Sequence, residues 1–242
     1  MKTLHQDISD TCRRTDKGLW NAYARSAESQ LNVSSAGSLI FPQYHGKRVG
    51  SLRVSEQEAR FAFVEALCQS RLMYSVEAPT TKLYQFTGKT PLSAQTDLVV
   101  HDESGIPICN IEFKAKGLSP SARQHFPIFK DLQKLLREPV WGLWFHLLES
   151  TDNSTINNLL SVMAKQIGEV HREFGEDVES PGLTFHVCVL EHGFSLQRDV
   201  KLPPSHVITD AELRGQMHID LKMSRSDLVK VHDLNGWDLN RR

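Results

Sequence analysis

The sequence predicts an α/β protein in which a mixed sheet carries helices on its faces. Three observations lead there. Helix-like and strand-like segments alternate along the chain. Residues 96–116 read as a hairpin with period-two alternation. The run VWGLWFHLL (residues 140–148) is continuously apolar, as expected of a strand buried on both faces.

The first helical segment is LWNAYARSAESQL, with Leu19, Tyr23, Ala27 and Leu31 recurring on one face. Gly, Pro and Ser then break regularity through NVSSAGSLIFPQYHGKRVGS, read as a connector. SEQEARFAFVEALCQSRL opens a second helix. Ser55 and Glu58 stand at capping-box spacing, where each side chain satisfies a free backbone N–H. Phe61, Val64 and Cys68 mark an apolar stripe that Phe63 and Leu67 widen. MYSVEAP and TKLYQFTG are strand-like, and the hairpin follows. SARQHFPIFKDLQKLLRE is a third helix, with a break or kink expected at Pro127. A long amphipathic helix, NSTINNLLSVMAKQIGEVHREFG, then precedes two strands, LTFHVCVLEH and FSLQRDVKL. This order divides the chain into an N-terminal helical extension and connector (1–50), a main domain (51–220) and a polar tail (221–242).

The 242 residues suit one large domain, and 40% hydrophobic with 24% charged residues is ordinary for a globular protein. A formal net charge of −1 excludes a polycation that coats nucleic acid by bulk attraction, so any polyanion site must be local. The N-terminal stretch lacks the apolar segment of a signal peptide, and no apolar run reaches the roughly 20 residues that span a bilayer. The expectation is a soluble cytoplasmic protein without a membrane partner. Four dispersed cysteines contain no C-x-x-C pair. Cys68, Cys109 and Cys188 lie in apolar runs and read as small, reduced core residues. Eleven histidines form no metal-binding spacing, and there is neither a P-loop nor a G-x-S-x-G elbow. Trp141 and Trp144 read as core.

The hairpin TDLVVHDESGIPICNIEFKAKG carries three charges in otherwise apolar arms. A turn centred on Ser104–Gly105 pairs Leu98 with Ile111 and Val100 with Cys109 on one apolar face. On the other face Asp97 meets Glu112, Val99 meets Asn110 and Gln95 meets Lys114. Carboxylates opposed across strands have Cβ atoms about 4.5–5.5 Å apart and repel. A proton on one of them, or a cation between them, relieves that repulsion. Hard oxygen donors of this kind suit Mg²⁺ or Mn²⁺. The plain alternative is a solvated strand face on which Lys114 balances the acids.

With an acidic helix before it and a helix and strand after it, this hairpin resembles the PD-(D/E)xK nuclease superfamily, the restriction-endonuclease-like fold. Thr96-Asp97 matches the family's Pro-Asp, and Glu112-Phe113-Lys114 matches its (D/E)-x-K. Thr96 departs from the proline, a position without chemistry in the family scheme. The resemblance implies a metal-dependent endonuclease that hydrolyses DNA phosphodiesters in restriction, repair, recombination or phage defence. Asp97, Glu112 and the Phe113 carbonyl would hold Mg²⁺ or Mn²⁺. The metal would polarise the phosphate and lower the pKa of a bound water. Lys114 would orient that water and stabilise transition-state charge. Glu58 is the helix acid placed at the metal, its other role being the capping box; Glu56 and Glu65 are secondary candidates. Lys116, Arg123, Lys130, Lys134 and Arg137 form a basic flank that would contact phosphates. Partners implied are DNA, a second copy for double-strand cutting, and proteins of a larger nuclease system. The competing reading is a non-catalytic module of the same fold that binds nucleic acid or protein.

Overall fold

The structure, a computed structural model, describes residues 4–27, 39–44, 51–70, 72–86, 90–115, 122–202, 210–223, 229–233 and 235–242. Five α-helices and nine strands are described: α1 Leu4–Ala27, α2 Glu56–Leu67, β1 Met73–Tyr84, β2 Leu92–His101, β3 Pro107–Ala115, α3 Ala122–Arg137, β4 Trp141–Leu148, α4 Asn153–Phe174, β5 Gly182–Val189, β6 Phe194–Lys201, α5 Asp210–Met217, β7 Asp220–Met223, β8 Val229–Asp233 and β9 Asp238–Arg241. The main sheet has seven strands in the order β1-β2-β3-β4-β5-β6-β9. Its centre, β3-β4-β5, is parallel, and both flanks are antiparallel. The α/β mixed sheet expected from the sequence is present. Among the described residues, no helix is long and apolar enough to cross a membrane.

Strand β4 explains the two-sided architecture. All eight of its residues are buried. Trp144 and Leu148 point into a core closed by α3, α4 and α5, while Leu143, Phe145 and Leu147 point into a second core closed by α1 and α2. Glu112 and Lys114 lie in register with Trp144 and His146. Period two therefore turns both charged residues toward α3, and Phe113 toward α2.

Several elements differ from the sequence reading. α1 starts well before Leu19, because Thr11 and Thr15 fill its buried stripe between Ile8, Cys12 and Leu19. Their hydroxyls donate to the carbonyls of Asp7 and Thr11, at 2.7 and 2.8 Å, so they can be buried without loss. Leu31 lies outside the described residues. On α2 the buried face is Ala59, Ala62, Phe63, Ala66 and Leu67, whereas Phe61 is 61% exposed and Cys68 is exposed at the helix end. Alanines allow the close approach that the larger residues suggested elsewhere. MYSVEAP and TKLY form one strand, β1, with irregular pairing between Pro79 and Leu83. α3 runs through Pro127, which forgoes a single backbone bond.

The terminal segments also join the body. Trp20 of α1 donates to the Val189 carbonyl at 3.1 Å. Asp16, fully buried, accepts from Ser195 Oγ at 2.6 Å and stands 2.8 Å from His186 Nε2. Within the stretch read as a polar tail, β9 pairs with β6 and Trp237 is buried against the α3/α4 core.

Candidate active site

The β2–β3 ladder has the register read from the sequence: Leu98 opposite Ile111, Val99 opposite Asn110 and Val100 opposite Cys109. It slips by one residue toward the turn, at His101 and Pro107. There Asp102 Oδ1 accepts from the Ser104 and Ile106 amides, both at 2.9 Å, and Gly105 takes φ +79°.

At the open end the pairing differs from the expected Asp97–Glu112 opposition. Asp97 Oδ2 accepts from the Phe113 N–H at 2.9 Å, so a side chain replaces the next ladder bond. Its other oxygen takes Arg60 of α2 at 2.7 Å. Glu112 lies beneath α3, where Lys134 meets it, and is 1% exposed. Lys134 Nζ approaches Glu112 Oε1 to 2.6 Å, a close charge contact without the direction of a good hydrogen bond. Lys134 also meets Asp131 Oδ1 at 2.8 Å and donates to the Gln95 carbonyl at 2.9 Å. Lys114 pairs with Asp131 Oδ2 at 2.8 Å and lies 3.8 Å from Glu56. One connected cluster thus holds five carboxylates (Glu56, Glu77, Asp97, Glu112, Asp131) against three cations (Arg60, Lys114, Lys134), with Glu77 at its exposed edge, 3.4 Å from Arg60.

The excess negative charge falls on specific groups. Burial, then the Asp131 charge, push the Glu112 carboxyl well above its usual range, and Lys134 only partly opposes them. Burial would raise Asp131 too, but Lys114 and Lys134 hold it below the ordinary carboxylate range. Glu56 is raised by burial despite Lys114. Burial alone would depress Lys114, yet Asp131 and then Glu56 raise it, so it remains an ammonium at any ordinary pH. Within the cluster Asp131 is therefore held toward its anionic form and Glu112 is pushed toward its protonated form.

The remaining sequence candidates separate clearly. Glu58 caps its own helix: Oε2 accepts from the Ser55 amide at 2.8 Å and from the Ser55 hydroxyl, and Arg53 is 3.3 Å away. Glu56, two residues earlier and on the side of Lys114, is the α2 acid that reaches the cluster, and Glu65 is exposed. Phe113 is fully buried and supplies its amide to Asp97. Lys134 does not stand on a solvated flank; it is 6% exposed and turned into the cluster. Lys130 lies 4.5 Å over the Phe86 ring. Lys116 falls outside the described residues, as does the side chain of Arg123. Asp131 and Arg60 were not singled out from the sequence. The only local signal for Asp131 was its i, i+3 spacing to Lys134 within KDLQKL.

Hard oxygens concentrated beside a buried carboxylate with excess negative charge fit a divalent cation in chemical type. Among the described residues, however, no three His, Cys, Asp or Glu side chains stand together as a ready-made metal cage. The ammonium of Lys134 and the guanidinium of Arg60 occupy the carboxylates that a metal would share.

The cluster opens on a recess of about 430 Å³ lined by Tyr84, Phe86, Gln95, Lys130, Asp131 and Lys134. Comparison of the chain with family models, curated proteins and solved structures gives no match.

Proposed function

We propose that the protein is a metal-dependent endonuclease of the PD-(D/E)xK kind that hydrolyses DNA phosphodiesters, acting in restriction, repair, recombination or phage defence. The observation that carries the reading is the convergence of Asp97, Glu112 and Lys114 at one open hairpin end, with excess negative charge around a buried carboxylate. Asp97 and Glu112, with the Phe113 carbonyl, would hold Mg²⁺ or Mn²⁺, which would supply Lewis-acid polarisation of the phosphate.

The chain's own residues define the rest. Lys114 is held charged by Asp131, so it acts as a fixed positive charge beside the developing phosphorane and not as a proton acceptor. Asp131 is a positioning residue that aims Lys114 through a 2.8 Å ion pair. Arg60 holds Asp97 in place from α2. Because burial pushes Glu112 toward its protonated form, a cation there would compete with a proton, and binding would weaken in acid.

A second reading, a non-catalytic nucleic-acid-binding or protein-interaction module, draws on one observation. Lys134 and Arg60 already neutralise Glu112 and Asp97. Incubating supercoiled and linear DNA with Mg²⁺ or Mn²⁺ separates the two. Cleavage lost in both Asp97→Ala and Lys114→Ala is expected; cleavage that survives both sinks the site, and binding without cleavage favours the module.

A further inference from the structure

The recess beside the cluster has an organisation that the hydrolytic reading does not use. A column of stacked groups runs into it. The Arg137 guanidinium lies 4.5 Å over the Phe174 ring and 4.7 Å over Tyr84. Tyr84 stacks on Phe86, with centroids 5.4 Å apart and planes 23° apart. Lys130 caps the outer end, 4.5 Å over Phe86. Tyr84 is anchored because its hydroxyl donates to the buried Glu138 at 3.0 Å, so the inner part of the column is rigid. The outer part is different. Phe86 is only half-buried, Gln95 is exposed at the rim, and Lys130 places its charge over a ring instead of a carboxylate. The floor is Asp131 and Lys134, the residues that touch Lys114 and Glu112.

We propose that this recess is a nucleobase subsite, in which an unpaired base beside the scissile phosphate stacks on Phe86 while Lys130 moves to the adjoining phosphate. The inference rests on the nuclease reading and names its substrate class: single-stranded DNA, or a duplex with an unpaired nucleotide at the point of cleavage. Base-on-ring stacking matches or exceeds a partly buried ammonium-on-ring contact, so a base can displace Lys130 from Phe86. The displaced ammonium then meets the negative charge that arrives with the base. Gln95 supplies an amide that can donate to or accept from a base edge. A base inside a duplex is stacked between neighbours and must leave the stack to enter a side recess, which selects for unpaired nucleotides.

The test uses the full chain without metal, so that binding is read without cleavage. The probes are a single-stranded DNA oligonucleotide carrying one 2-aminopurine and the same strand in a duplex. Single-strand binding with a change in 2-aminopurine fluorescence is expected, roughly tenfold tighter than duplex binding. Phe86→Leu keeps apolar volume but lacks the ring face and should weaken it by roughly tenfold; Phe86→Tyr should restore it. Lys130→Gln should weaken binding by a few fold and lower the salt slope by about 0.7. Equal affinity for the duplex, together with unchanged binding by Phe86→Leu, overturns the subsite. The nuclease reading fails separately: Phe86-dependent single-strand binding by a protein that never cleaves leaves the subsite standing, whereas duplex cleavage indifferent to Phe86→Leu leaves the nuclease and removes the subsite.

Discussion

Two buried polar networks tie helices to the sheet, and they differ in a way that distinguishes a structural brace from the proposed reactive site. In the first, Asp16 of α1 divides its two oxygens between Ser195 and His186, and each of the three residues is at most 1% exposed. His186 stands 3.3 Å from Gln197 through its other nitrogen, so the polar groups close on themselves. In the second, five carboxylates face three cations, Glu112 is pushed toward its protonated form, and the cluster opens on a recess. Burial is common to both. A surplus of carboxylates over cations and access from outside mark the second, and these are what a cation and a substrate require.

The largest expected effect breaks the brace. Asp16→Ala leaves His186 and Ser195 buried without their shared acceptor. Loss of one partner in such a network costs about 3–5 kcal/mol, a fall in Tm of about 6 °C or more by thermal unfolding. Metal-dependent cleavage per folded molecule should be unchanged. A large loss of activity at full stability would mean that the two networks do not divide the roles as described.

Lys114→Ala should do the reverse. A rate loss of about 10²–10³-fold in the DNA cleavage assay is expected, with little change in Tm, because Lys134 still neutralises Asp131. Lys134→Met comes next. It removes the cation from Glu112, so Tm in chelator should fall, and Mn²⁺ should raise the Tm of the variant more than that of the wild type. If Mn²⁺ shifts neither, the hairpin acids are not a cation site.

Glu112→Gln is the subtlest change. Burial raises the folded pKa of Glu112 above its unfolded value of about 4.3. Its stabilising contribution is therefore complete below the unfolded pKa and is lost as pH rises through the folded one. In chelator the variant should melt a few degrees above the wild type at pH 8, and the gap should close by pH 4. A variant less stable than the wild type at pH 8 would show that the Lys134 contact outweighs burial.

The β2–β3 hairpin was legible in the sequence because segregation of apolar and charged residues at period two allows few registers, and the central pairs follow it. Its open end was not, because an Asp97 side chain taking the place of a ladder acceptor leaves no pattern in sequence. Lys134 read as a surface lysine of an amphipathic helix. Only the packing of α3 across β3 makes it a partner of Glu112, at a sequence separation that no periodicity reports. α1 and β9 were hidden for a related reason: threonines that bond to their own helix, and a short polar edge strand, bury or pair without an apolar signature. Glu58 suits either a helix cap or a metal site in sequence, and its carboxylate accepts from the Ser55 amide, the cap arrangement.

Calorimetric titration of Mn²⁺ into the wild type, Asp97→Ala, Glu112→Gln and Asp16→Asn tests the central distinction most directly. The expected result is one bound ion per chain in the wild type and in Asp16→Asn, with affinity that weakens in acid, and loss of that ion in Asp97→Ala and Glu112→Gln. Equal Mn²⁺ binding by all four proteins, or none by the wild type at pH 8, would contradict the account.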